Sequence, residues 1–220
     1  MRKVCFINNE YYHIHNRGVD KREIFGEEGD YLRFLLAMRE FNNVRPVGSL
    51  YELNYQKSKG AKEAKLPIGS LASELVNVIC YCLSPNHFHL ILEQLKERGI
   101  EKFMHKLGTG YTKYFNQKYN RSGSLFQGSF QSIHINTNEY LLWLSGYVNG
   151  NIEIHNIAEV GNYKWCSYQD YVEQRGGNLC NRKKIISQFS GTREYGTYVS
   201  MVIKESGGRK DLKKYFIEEC

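Results

Sequence analysis

The chain has 220 residues, 41% of them hydrophobic, with only 3 prolines; this excludes wholesale disorder and leaves room for one large packed domain or a domain with an appendage. A net charge of +7 and a pI near 9.0 suit a polyanionic partner, nucleic acid before membrane. No apolar run approaches the ~18 residues that span a bilayer, no secretory leader is read at the start, and six cysteines without a CxxC pair read as reduced thiols of a cytoplasmic protein, neither a disulfide framework nor a zinc finger.

Residues 10–17 read as a first strand ending at Gly18. They carry a His-x-His, His13 and His15, which is either a ligand pair or, more simply, a histidine face lining a polar cleft or lying exposed. A helix then starts between Glu27 and Tyr31, with Tyr31, Phe34, Leu35, Met38 and Phe41 at helical spacing as its core stripe. Residues 42–74 contain Pro46, Pro67, several glycines and a lysine-rich polar run, and read as a long basic loop or insertion.

Two apolar strand-like runs, together residues 75–94, flank the turn-forming trio Ser84-Pro85-Asn86. The second opens with His87-Phe88-His89. Side chains alternate along a strand, so both imidazoles leave one face and Phe88 the other. Cys80 and Cys82 in the first run read as small buried filling.

A second helix spans about 99–119, its apolar stripe running from Ile100 to Phe115, with Lys102, Lys106, Lys113 and Lys118 off that stripe. A basic turn at 120–123 leads to a strand region over 124–135, in which Gly128 is a candidate bulge. Thr137-Asn138 caps a third helix through about Gly150. The tail from Gly176 reads as an appendage with short helices at 182–189, 195–203 and 210–216.

The order strand, helix, strand, strand, helix, strand, helix predicts an α+β fold: a ferredoxin-like split βαβ antiparallel sheet with an added helix and a small helical C-terminal appendage. The first and third strands of that fold are central neighbours, which puts His87 and His89 mid-sheet. On the added helix, Tyr147 and Asn151 are spaced i, i+4 and share a face. A nucleophile and an amide ligand opposite a His-x-His strand make a metal site suited to phosphate chemistry. Tyr140, seven residues earlier on a similar face, is the rival nucleophile, and pairing with Asn151 favours Tyr147. Imidazole alone suits zinc, copper, iron or nickel, whereas added amide and phosphate oxygens also admit manganese or magnesium.

The run from Tyr81 to Leu90, YCLSPNHFHL, resembles the "YCLMPNHFHL" signature of the single-tyrosine HUH transposases, specifically the REP-associated (RAYT) group. Residues 12–18 match that group's opening "YHxxNRG", and 111–130 are similar to its "YfN…RsGxLFQGRF" run. Residues 138–151 resemble its catalytic helix "YLxxLxRYIxxNP", and 165–168 its closing "WSS" segment. The resemblance covers about residues 9–175. It implies an HUH domain over 1–175, with 42–74 as its insertion and 176–220 as the appendage.

Carried over position by position, it implies His87 and His89 as the metal-binding histidines, Tyr147 as the nucleophile and Asn151 as the third ligand. The implied reaction is metal-dependent cleavage and strand transfer of single-stranded DNA at hairpin-bearing, REP-like sites through a 5′-phosphotyrosine, with Mg²⁺ or Mn²⁺ as cofactor and no nucleotide. The implied state is a monomer or a homodimer, nucleoid-associated when bound to DNA. Arg17, Lys102, Lys106, Lys113, Lys118 and Arg121 are candidates for backbone contacts, and Tyr119 for stacking on a base. Three departures stand out. Ser129 and Gln131 replace the usual basic residues, Ile152 replaces the proline after the asparagine, and the insertion is long. Two other readings compete: a catalytically silent module that holds structured single strands, and a small zinc hydrolase, against which stands the missing carboxylate near the histidine pair.

Overall fold

The computed structural model describes residues 5–45 and 74–208. The insertion expected at 42–74 therefore falls mostly outside the described residues, as does the helix expected at 210–216. The ends of the insertion are held together by one side chain: Asn42 accepts from the Leu75 and Val76 amides, both at 3.0 Å, and donates to the Val76 carbonyl at 2.8 Å.

Four strands, β1 (Tyr11–Arg17), β2 (Val76–Ser84), β3 (His87–Gln94) and β4 (Gln131–Ile135), form one sheet in the order β2-β3-β1-β4 with every neighbour antiparallel. This is the ferredoxin-like order, with the first and third strands in the middle as expected. Helices α1 (Glu28–Phe41) and α2 (Gly99–Lys118) cover one face. Their Phe34, Met38, Phe103, Leu107 and Tyr111 pack on Ile14, Phe88, Leu90 and Leu92. Helix α3 (Asn138–Ile154) covers the other face, packing Leu144, Val148 and Ile152 near Cys80, Cys82, Ile91 and Ile135. Two single-turn helices, α4 (Tyr168–Tyr171) and α5 (Lys183–Ile186), lead to α6 (Thr192–Gly208), whose Tyr195, Val199 and Val202 join that second core.

Three differences from the sequence expectations have clear causes. The strand expected over 124–135 is confined to β4, because Gly123 and Gly128 adopt φ of +85° and +75° and turn the chain away from extended geometry. In β2 a register shift between Val78 and Cys80 makes Ile79 a bulge residue. Val78 thus faces the α1–α2 core while Cys80, Cys82 and Ser84 face α3, although all four share parity. Finally, α3 does not stop near Gly150. A buried Ile152 stands where a proline would end the helix, and α3 continues to Ile154.

Candidate active site on the histidine face

The β1–β3 register sets His15 opposite His89 and Arg17 opposite His87. His13, His15, His87 and His89 therefore all project from the α3 side of the sheet. His13 and His89 are buried, with Nε2 of His13 and Nδ1 of His89 2.9 Å apart. The rings of His13, His15 and His89 pack mutually at centroid distances of 5.1–5.6 Å. His87 lies 5.1 Å from His89 between ring centroids, edge to face.

The hairpin turn is braced from outside. The Pro85 carbonyl accepts from the amides of Ile24 and Phe25, and the Asn86 carbonyl from Gly18. Gly18 is required there by close approach, since a Cβ would collide with the Arg22 carbonyl. Asn86 donates from Nδ2 to the Lys21 carbonyl at 3.2 Å, which turns its Oδ1 to Nδ1 of His87 at 2.6 Å. An amide oxygen only accepts, so His87 carries its proton on Nδ1 and Nε2 is the lone-pair nitrogen.

Helix α3 brings the other two expected residues to this face. The Tyr147 ring lies 6.3 Å from that of His89 and stacks on Trp143 at 5.6 Å. One turn later Asn151, fully buried, accepts a hydrogen bond from Ser84 Oγ at 3.3 Å. Ser84 is the β2 partner of His87. Tyr147 thus sits above His89, and Asn151 beside His87. Tyr140 stacks on Trp143 at 6.4 Å, farther along the helix. At the C-cap, His155 reaches within 6.1 Å of His87, ring to ring.

The helix is fixed from behind as well. Asn149 donates to the Tyr195 hydroxyl at 2.8 Å and accepts from Ser167 Oγ at 2.6 Å, while Ser167 Oγ accepts from the Tyr81 amide. Gly146 and Gly150 let α6 approach, since a Cβ on Gly150 would lie 2.6 Å from Ile203 Cγ1. On β2, burial pushes the Cys80 and Cys82 thiols well up, so these neighbours of Ile91 and His89 are neutral fillers and not thiolates. Among the described residues no three His, Cys, Asp or Glu side chains converge at ligand spacing. A donor set built on His87 and His89 would draw its third protein atom from a neutral side chain, and Asn151 is the one at hand. Its Nδ2 is buried with no hydrogen-bond partner among the described residues. Turning the amide over would let Nδ2 donate to Ser84 Oγ and present Oδ1, the atom that ligates a cation.

The remaining expected residues are not gathered here. Lys102, Lys106, Lys113 and Lys118 belong to α2, across the sheet. Lys118 and Tyr119 are engaged by the buried Asp30: Lys118 Nζ lies 2.5 Å from its Oδ1 and the Tyr119 hydroxyl donates to Oδ2 at 2.6 Å. Lys106 donates to the Asn43 carbonyl and Lys102 to that of Glu97. Arg121 holds Asn116 at 2.7 Å. Lys113 is exposed and lines a groove of about 470 Å³ with Phe126 and Phe130. Only Arg17 stands beside the histidines. Of the replaced basic positions, Ser129 is exposed in the turn before β4, and Gln131 pairs with His15. Of the His13 and His15 pair, read from sequence as ligands or as a histidine face, His13 is buried against His89; Ser84 and His155 join the cluster without having been expected at the site.

Residues 61–151 match the family described as "Transposase IS200 like". No curated protein matches the sequence. Among solved structures, the fold is similar to that of a REP-associated tyrosine transposase bound to a REP hairpin, with a TM-score of 0.50 and 12% identity over 87% of this chain and 95% of that one. A tRNA(His) guanylyltransferase from Saccharomyces cerevisiae also aligns, with a TM-score of 0.35 and 9% identity over 96% of this chain and 83% of that one, a score on which nothing is built. Over residues 61–151 the sequence is thus similar to the IS200-like transposases, and over most of its length the fold is similar to that of a REP-associated tyrosine transposase.

Proposed function

We propose that the protein cleaves and rejoins single-stranded DNA at hairpin-bearing sites through a covalent bond to Tyr147. The observation that carries this reading is the meeting of two elements far apart in sequence. Tyr147 and Asn151 on one face of α3 lie over His89 and beside the His87–Ser84 pair. The donor set of two imidazoles and an amide fits Mg²⁺ or Mn²⁺ completed by phosphate oxygens. Held by His87, His89 and Asn151, such an ion would supply positive charge against the scissile phosphate.

The chain's own groups do the rest. The Tyr147 oxygen forms a bond to phosphorus and the P–O3′ bond breaks, so a 3′-hydroxyl leaves and the DNA 5′-phosphate stays on tyrosine. The phenolic proton goes to a base or to solvent. Attack by a second 3′-hydroxyl on the phosphotyrosine reverses these bonds and completes strand transfer. Trp143, stacked on Tyr147, fixes the plane of the ring. Arg17, opposite His87, is placed to meet a flanking phosphate.

One observation favours the silent single-strand-binding reading: Tyr147 is only 2% exposed. A single experiment separates the two. Hairpin-bearing single-stranded DNA is incubated with the full chain and Mn²⁺ or Mg²⁺, then resolved under denaturing conditions. The expected result is a covalent protein–DNA adduct that is lost in Tyr147→Phe and kept in Tyr140→Phe. Tight binding without adduct under either ion would leave the binding module as the function.

A further inference from the structure

His13 lies outside the ligand set, yet its ring is in hydrogen-bond contact with a member of it. Its Nε2 is 2.9 Å from Nδ1 of His89, and both residues are buried. Two neutral imidazoles joined in this way have two arrangements: either His89 donates its Nδ1 proton to His13, or His13 donates to His89. In the first, the lone pair of His89 is on Nε2. In the second, Nε2 carries the proton and cannot ligate a cation.

The neighbouring histidine has its Nδ1 engaged in the same way. Asn86, turned by its bond to the Lys21 carbonyl, can only accept from His87, so His87 is already the Nδ1–H tautomer. On His89 the Nδ1 edge is taken up by His13, so the nitrogen left to face a cation is Nε2, as on His87. We infer that His13 is a positioning residue: it accepts the Nδ1 proton of His89 and so holds His89 in the tautomer whose Nε2 can bind a cation. This rests on the proposed role of His87 and His89, and it adds a residue on a different strand to the site. The β1–β3 register makes the contact possible, because His15 pairs with His89 and sets His13 one step along the same face. The planes of the His13 and His89 rings lie within 17° of parallel, as an edge-to-edge bond between them allows.

Outer partners of metal-bound histidines commonly change affinity 10- to 100-fold, roughly, when removed. The test has two arms on the full chain. The first needs no cation: long-range ¹H–¹⁵N spectra of the metal-free protein report the tautomer of each histidine. His89 and His87 are expected as Nδ1–H, with His89 losing that preference in His13→Phe and keeping it in His13→Gln, whose amide oxygen still accepts. His89 found as Nε2–H in the unaltered protein would overturn the inference whatever the cation does. The second arm titrates Mn²⁺ calorimetrically. His13→Phe should bind about 10- to 100-fold more weakly at unchanged thermal stability, with His13→Gln recovering most of the loss. Equal Mn²⁺ affinity in His13→Phe and the unaltered protein, where His87→Ala abolishes binding, would overturn the positioning role alone. Mn²⁺ binding unaffected by His87→Ala would instead overturn the ligand reading itself, and the positioning role with it.

Discussion

Replacing Asn151 with leucine separates a ligand from a packing residue. Asn151 is fully buried, holds one long hydrogen bond from Ser84 at 3.3 Å, and its Nδ2 has no hydrogen-bond partner among the described residues. An unsatisfied buried polar group costs about 1–3 kcal/mol, and an ordinary hydrogen bond contributes about 1 kcal/mol. Leucine keeps the branch at Cγ and removes the amide. The substitution also removes the acceptor of the buried Ser84 hydroxyl, which costs a similar amount, so Asn151→Leu leaves the metal-free protein within about 2 kcal/mol of the unaltered one. For a chain of this size that is a shift in Tm of at most about 8 °C. With Mn²⁺ at about a hundred times its Kd, the unaltered protein gains about 2.7 kcal/mol and the variant nothing. Circular dichroism melts in EDTA and in Mn²⁺ measure both quantities. A loss of more than about 2 kcal/mol in EDTA would make Asn151 a structural residue, since the cost of an idle amide is the premise. Equal stabilisation of both proteins by Mn²⁺ would remove it from the ligand set.

Two further outcomes concern what holds the site in place. Burial, the largest influence on Asp30, opposes its charge, yet the bonds from Lys118, Tyr119 and Tyr114 together hold its carboxyl below the ordinary value. The folded value is depressed, so its contribution is present above the ordinary carboxylate range and lost as pH falls through the folded value. Asp30→Asn should cost about 3 kcal/mol near neutrality, with the gap closing in acid, and urea unfolding at pH 7 and pH 3 giving the same gap would contradict this. Gly150→Val would press a side chain into Ile203, whose Cγ1 lies 2.6 Å from the Cβ position. Overpacking of this kind costs about 1–3 kcal/mol, read as a lower denaturant midpoint; an unchanged midpoint would mean that α6 does not bear on α3 as described.

The sheet order and the meeting of His87, His89, Tyr147 and Asn151 follow from features that are local in sequence. Period 2 fixes the face of the two histidines, and period 3.6 fixes the face of Tyr147 and Asn151. What sequence alone left open depends on pairing between distant segments. His13 matters only because β1 lies beside β3 with His15 opposite His89, a register that no local pattern states. Ser84 reaches Asn151 because the bulge at Ile79 reverses the faces of β2 after Val78, and nothing in the alternation of that strand marks where the extra residue falls. Lys118 and Tyr119, free cations and rings by composition, are taken up by Asp30 at the start of α1. The helix end was the reverse case: Ile152 already lacked the ring that would stop α3, and the chain used the added turn.

That added turn bears on how a DNA strand would reach the site. Exposure rises along the face toward the β2–β3 turn. His13, His89 and Tyr147 are buried, whereas His15, Arg17 and His155 are partly open to solvent. On the proposed reaction, a phosphate therefore enters at the turn end, passing Arg17 and His87 before it meets Tyr147. Gln131 lines this same end opposite His15. The last turn of α3 places His155 there too, 6.1 Å from His87. If the proposed reaction holds, strand affinity at this entrance depends more on Arg17 than on any of the α2 lysines, which lie across the sheet from it.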